Sequence, residues 1–199
     1  MTTATVTRRE RKRDALVSAA HALFRAQGFE ATTIDQVAAA AGVSRRTFFR
    51  YFATKDAVVF PHADARIAAF RAALRPRAGE TVEAAVRRAV LEVAREFAAH
   101  RDELLLQHAL IASSPHLLAR EHEIDLAWED AIVGALEARG EPGLRARVLG
   151  GAVAGALRAA LRVWLAGKGK GDLAALGQEA LDLLAETCGA WGTTRRDAR

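Results

Sequence analysis

Apolar residues return every three to four positions through most of the 199-residue chain, and β-branched residues nowhere alternate with polar ones. That spacing lays one apolar stripe along a helix and gives no strand a face to bury. Alanine and leucine dominate the hydrophobic half of the sequence and aromatic residues are few, so propensity points the same way as periodicity. The expectation is an all-α protein. A chain of this length can bury a sizeable core without a metal or a disulfide. Cys188, the single cysteine, excludes an internal disulfide framework and suits a reducing cytoplasm.

Charge is distributed unevenly. Residues 1–55 carry ten basic side chains against four acidic ones, a balance of +6, and everything beyond them sums to −1. A polyanion would therefore be drawn to the first quarter of the chain. The opening segment MTTATVTRRERKRD has no apolar stretch of the kind that begins a secreted protein. The most apolar stretch, VLGGAVAGALRAALRVWLAG, is interrupted by Arg158 and Arg162, which leaves too short an uncharged run for a bilayer. A cytoplasmic protein without a membrane partner is expected.

Residues 1–9 lack periodicity and read as a flexible basic arm. From about Glu10, Leu16, Ala20, Leu23 and Phe24 mark a first helix that Gly28 stops. Thr33 and Gln36 then fit a capping box, with Ile34, Val37, Ala38 and Ala41 forming one stripe after it. Gly42 supplies a tight turn, and Ser44 can cap the following helix. Helix, glycine turn and helix within about twenty residues form a helix-turn-helix signature.

The second of these helices reads RRTFFRYF and gathers Phe48, Phe49, Tyr51 and Phe52 among arginines. At 100° per residue, Phe48 and Phe52 share one side, opposite Arg46, Thr47 and Arg50. Two rings can anchor the helix while Phe49 and Tyr51 border a basic outward face; the alternative buries all four rings and leaves the arginines as a solvated surface. Arg45 and Arg46 occupy the first helical turn, where the macrodipole disfavours cations by a few tenths to about 1 kcal/mol each. Their position makes sense if an external phosphate binds there.

The run FEATTIDQVAAAAGVSRRTFFRYFATKDAVV, with Gly28–Phe29, the paired Thr32 and Thr33, the AGVS turn and Lys55 opening a fourth helix, resembles the DNA-binding domain of the tetracycline-repressor (TetR) family. The likeness covers roughly residues 10–60. It implies phosphate contacts from Thr33, Phe49, Tyr51 and Lys55, with Ser44 at the start of the recognition helix and base contacts from Arg45, Arg46 and Thr47. The family often has tyrosine where this chain has Phe49. One of the two arginines could read guanine, and the sequence leaves open which.

Residues 61–199 read as further helices beginning near Ala63, Glu80, Arg101, Ser114, Gly143 and Asp172, broken at Pro76, Pro115, Pro142 and GKGKGD. Between Val148 and Leu157 the chain is apolar on almost every side and includes Gly150, Gly151 and Gly155. Such a helix needs two buried faces, one of them available to a partner subunit. A broad final helix runs from Leu173 through Leu184 to Trp191. The resemblance adds a homodimer through the last two helices, an inverted-repeat operator in double-stranded DNA, and an effector cavity. Cavity candidates are Phe97, Leu104, His108, Ile111, Trp128 and Ile132, with Arg158 or Arg162 as an anion partner. The wording of the DNA-binding segment is similar to a branch associated with acyl-CoA-like ligands.

No enzyme chemistry is visible. His100, His108, His116 and His122 form no HExxH pair, Ser113 and Ser114 no nucleophile elbow, and Lys168 no phosphate loop. Neither a metal nor a cofactor is expected. The chain therefore reads as an all-α, ligand-responsive, dimeric DNA-binding regulator, a repressor, with an arm (1–9), a DNA-binding domain (10–60) and a ligand-binding and dimerisation domain (61–199). The other reading is a small-molecule carrier whose basic end docks on an acidic protein or a membrane.

Overall fold

The computed structural model describes residues 7–188, and every regular element among them is helical. In chain order these are α1 (Arg8–Ala31), α2 (Ile34–Ala40), α3 (Arg45–Tyr51), a 3-10 turn (Asp56–Val58), α4 (Ala63–Ala73), α5 (Val82–Ala99), α6 (Arg101–Ala112), α7 (Pro115–Glu137), α8 (Gly143–Ala166) and α9 (Leu173–Cys188). The all-α expectation holds; Pro76, Pro142 and the GKGKGD segment fall between helices, Pro115 is the first residue of α7, and Gly28, expected to stop the first helix, instead breaks α1 from inside at a φ of +81°. Trp191, read as part of the last helix, lies outside the described residues.

The arm reading needs correction at its end. Thr7 caps α1 through a reciprocal box: the Glu10 N–H donates to Thr7 Oγ1 at 3.2 Å and the Thr7 N–H to Glu10 Oε2 at 2.6 Å. The Thr7 N–H holds the Glu10 carboxyl below the usual carboxylate range. Thr7, Arg8 and Arg9 thus belong to the helix start, and residues 1–6 lie outside the described residues. The T-x-x-E signal was concealed by the basic run around it.

Two compact units emerge. The first runs up to His62 and includes Leu106–Arg120; the second holds Ala63–Leu105 and the chain from Glu121 on. The division therefore differs from a cut at residues 60 and 61. Hydrogen bonds to the first unit account for the exchange: Gln107 Nε2 donates to Val59 O at 2.6 Å and Ser114 Oγ to Glu30 Oε1 at 2.7 Å. The His116 ring stacks 6.2 Å from Phe29 and sits 3.6 Å from Asp56. In this unit Leu16, Ala20 and Phe24 of α1, Val37 and Ala38 of α2, and Phe48 and Phe52 are buried.

In the second unit, Phe70 of α4, Val86 and Val90 of α5, Ile132, Val133 and Leu136 of α7, Val153 of α8 and Leu181 of α9 form one apolar cluster. Arg88 braces its edge by a two-pronged bond to Glu80, 2.9 Å on each arm, and a third bond to Ala73 O. That bonding pulls the Glu80 carboxyl below its ordinary range. Contrary to the expectation that Arg158 and Arg162 leave too short a run, α8 alone among the described residues is long and apolar enough to cross a bilayer by length and composition. Here it buries Ala146, Gly150, Val153, Ala154, Ala160 and Trp164 while Leu144, Val148 and Val163 stay exposed.

Gly150 shows what the small residues of α8 achieve. A Cβ built on it would stand 2.5 Å from Val133 Cγ2 and 3.4 Å from the Val133 backbone nitrogen, so α8 approaches α7 at a distance that only glycine permits. Val133 is buried and β-branched and cannot swing aside. Gly150→Ala is expected to destabilise the fold by about 1–2 kcal/mol, an overpacking cost of about 1–3 kcal/mol partly offset by helix propensity. Chemical denaturation would measure it, and Val133→Ala should cost less in the Gly150→Ala background than in the parent.

Candidate nucleic-acid interface and effector cavity

Short helices in water do not persist by propensity alone, so α2 and α3 depend on caps and burial. Thr33 caps α2: the Gln36 N–H donates to Thr33 Oγ1 at 3.2 Å and Gln36 Oε1 accepts from the Thr33 N–H at 2.8 Å. The chain turns at Gly42, whose φ of +66° suits glycine, and the Val43 N–H closes the turn on Ala38 O at 2.9 Å. Ser44 Oγ then accepts the Thr47 N–H at 3.2 Å and lies 3.0 Å from Thr47 Oγ1. Thr33 and Ser44 are thus built into helix starts, and the half-buried Thr47 hydroxyl is shared with a cap.

Phe48 is fully buried and Phe52 nearly so, which fixes the rotation of α3. Arg45, Arg46, Phe49 and Arg50 consequently face solvent, with Tyr51 half-buried. Arg50 lies over the Tyr51 ring and Arg45 over the Phe49 ring, each at 5.3 Å. Arg45 also bonds Asp35 at 2.9 Å. Both partners are more than half exposed, at 55% and 67%, so the pair is worth only about 0–1 kcal/mol and yields readily to a stronger anion. Arg46 makes no ion pair or hydrogen bond with another described residue. The two arginines that the sequence left equivalent are thereby distinguished.

Asp35 was overlooked in the sequence. It occupies the first turn of α2, where an acid is favoured by the dipole, and the turn at Gly42 brings Arg45 across to it. Lys55, expected to open a fourth helix, stands at the start of the 3-10 turn instead. Its ammonium donates to Phe29 O at 2.7 Å and Thr32 O at 2.9 Å and sits 4.1 Å from the centre of the Phe29 ring. It ties the 3-10 turn to the end of α1, and the next α-helix begins only at Ala63. Two of its three donors are committed within the protein, because the carbonyls that follow the break at Gly28 need partners.

The second unit contains a cavity of about 140 Å³ bordered by α4, α5, α7, α8 and α9. Phe97, Trp128, Ile132 and Arg158 line it as expected from the sequence, joined by Phe70, Val90, Val93, Leu157, Leu161 and Asp125. The other four candidates do not. Leu104 is buried beside Ala94, Trp164 and Leu173 in a neighbouring cluster; His108 and Arg162 are exposed; Ile111 is buried within the first unit. Helical spacing places all of them on apolar or mixed faces, but it cannot specify which neighbour each face meets. Arg158 donates to Asp125 at 3.0 Å, so the expected anion partner already has a carboxylate.

Residues 16–60 match the family model for bacterial regulatory proteins of the tetR family, and residues 80–189 match that of the MftR C-terminal domain. The HTH-type transcriptional regulator TcmR of Streptomyces glaucescens is 51% identical over 71 residues, 35% of this chain and 31% of that protein. The mycofactocin biosynthesis transcriptional regulator MftR of Mycobacterium tuberculosis is 53% identical over 36 residues, 18% of each protein. The chain therefore matches less than a third of the length of these curated relatives. FadR of Thermus thermophilus, a TetR-family transcriptional repressor solved with lauroyl-CoA, superposes with a TM-score of 0.63 at 28% identity, over 94% of this chain and 97% of that one.

The position of Lys55 has a direct consequence. Lys55→Met should lower stability by about 1–3 kcal/mol through loss of two charge-assisted bonds to carbonyls. The slope of DNA affinity against salt should change little, since a single phosphate contact would remove about one unit from it. Thermal unfolding and a salt titration on the same variant separate the two roles.

Proposed function

The chain belongs to the TetR family of bacterial regulatory proteins, and from that premise we propose that it is a dimeric repressor that binds an inverted-repeat operator in the cytoplasm and responds to a mainly apolar effector. One observation carries the reading: Arg46 stands exposed, with no partner among the described residues, in the first turn of a capped helix whose rotation is set by buried rings. Its guanidinium is suited to the O6 and N7 edge of guanine. Arg45 is suited to a phosphate or a neighbouring base after exchanging Asp35 for it. Thr33, Ser44 and Thr47 shape the face, and Phe49 and Tyr51 border it. A carrier docking by charge alone would not require this capped and glycine-turned arrangement.

The dimer reading rests on α8 and α9. Leu144, Val148 and Val163 of α8 and Leu183 of α9 are large, apolar and 57–81% exposed. Gly155, on the same side of α8 as Leu144 and Val148, has open space where a side chain would stand. A second copy packed by its own α8 and α9 would cover this surface as a four-helix interface. Two recognition helices then address half-sites roughly 34–36 Å apart. The lauroyl-CoA bound by the Thermus relative supports an effector with an apolar part, and the ring-lined cavity suits one.

Sequencing the DNA fragments retained by the purified protein tests the reading, and retention without a common inverted repeat would overturn it. On the operator so found, Arg46→Ala should weaken binding by about 1–3 kcal/mol and relax preference at one base pair. Arg45→Ala should cost less, and Asp35→Ala should raise affinity for unrelated DNA by removing a negative charge from the face. Wild-type behaviour of both arginine variants would remove α3 from the interface. Val148→Glu should convert dimer to monomer in sedimentation and abolish joint occupancy of the two half-sites.

A further inference from the structure

We propose that the cavity of the second unit selects a compact, uncharged, ring-bearing molecule whose polar edge both donates and accepts a hydrogen bond, and that the Asp125–Arg158 pair reads this edge. The proposal rests on the reading that this cavity takes the effector. Size is its first support. About 140 Å³ is close to a cavity of roughly 150 Å³ that takes benzene and lies below the roughly 300–1,000 Å³ of drug-sized sites. One ring or two fused rings fill such a space, whereas a long acyl chain requires the helices to part.

The walls provide the second support. Trp128 sits 5.0 Å from Phe70 with the planes inclined at 57° and 6.3 Å from Phe97 at 90°. These tilted rings offer both faces and edges to a flat guest, the geometry that aromatic pairs favour. Aliphatic side chains complete most of the lining, and among the described residues no third charged one takes part.

Polarity is the third support. Asp125 and Arg158 are each about a quarter exposed and bonded to one another at 3.0 Å, so the cavity presents no net charge. A carboxylate guest on the remaining guanidinium N–H groups adds a second negative charge beside Asp125, and an ammonium guest on the carboxylate adds a second positive charge beside Arg158. Either leaves one partly buried charge in excess, which is costly. A neutral group such as a carboxamide can donate to Asp125 and accept from Arg158 together, keeping both charges satisfied. Only the edge of such a guest needs to be polar.

The test uses the full chain and a matched series of naphthamide, naphthoate and methylnaphthalene, with lauroyl-CoA as the long-chain probe; affinities come from the concentration dependence of Tm. Naphthamide is expected to bind at least about tenfold more tightly than naphthoate or methylnaphthalene. Asp125→Ala, and Asp125→Asn, which keeps the side-chain shape, should free Arg158 and reverse the order in favour of naphthoate. Ala160→Leu should fill the cavity and abolish binding of the ring probes.

Parent protein that prefers naphthoate, an order unchanged in both Asp125 variants, preference for lauroyl-CoA over the rings, or no binding at all would each overturn the proposal. Operator affinity is measured separately on the same samples. Release of operator by lauroyl-CoA alone would discard the ring class and leave the regulator reading standing. Tight naphthamide binding with unaltered operator affinity would keep the site and discard its effector role.

Discussion

Burial of two phenylalanines beneath a seven-residue helix is the constraint on which the rest of the DNA-facing surface depends. Arg45–Tyr51 is too short to persist alone. Phe48 at 0% exposure and Phe52 at 3% pin it to the first unit, and the Ser44 cap fixes where it begins. Once its rotation is set, each remaining side chain has an assigned direction. Arg46 and Arg50 face water because Phe48 and Phe52 cannot. Cations in the first turn of a helix are a local cost, and this fold sustains them through aromatic burial, with Asp35 as a loose counter-charge for Arg45 alone.

Two arginine–aspartate pairs illustrate how environment decides the meaning of similar contacts. Arg45–Asp35 and Arg158–Asp125 have nearly equal lengths, 2.9 and 3.0 Å. The former is more than half exposed, so water can replace either partner at little cost. The latter is about three-quarters buried beside apolar rings, where separating the charges is far more expensive. One pair is consequently a loose restraint on an interface residue. The other is a neutral polar element in a site that would otherwise read as oil.

Much of the local architecture was legible in the chain. The Thr33–Gln36 box, the glycine turn and the Ser44 cap depend on contacts three to five residues apart, and such contacts follow from spacing. The Thr7–Glu10 box obeyed the same rule but was masked by surrounding charge. The carbonyl partners of Lys55, Phe29 O and Thr32 O, could not be read from spacing because they lie more than twenty residues away. Asp35 escaped notice for the same reason, its partner Arg45 being reached only through the turn. Of the residues named for the cavity that the family resemblance implies, Phe97, Trp128, Ile132 and Arg158 border the one present, whereas Leu104, His108, Ile111 and Arg162 do not.

The sequence by itself determined an all-helical chain, the caps that begin its second and third helices, and a concentration of positive charge around a ring-anchored turn. These properties are local or additive: propensity, caps and net charge depend on neighbouring residues and on counting. Only the tertiary structure decided that residues 106–120 join the first unit, that Lys55 serves backbone carbonyls, that Arg45 and not Arg46 is paired among the described residues, and that Asp125 neutralises Arg158. Each of these is a choice among partners distant in the chain. A helical stripe states that a face must be covered, and packing alone selects what covers it.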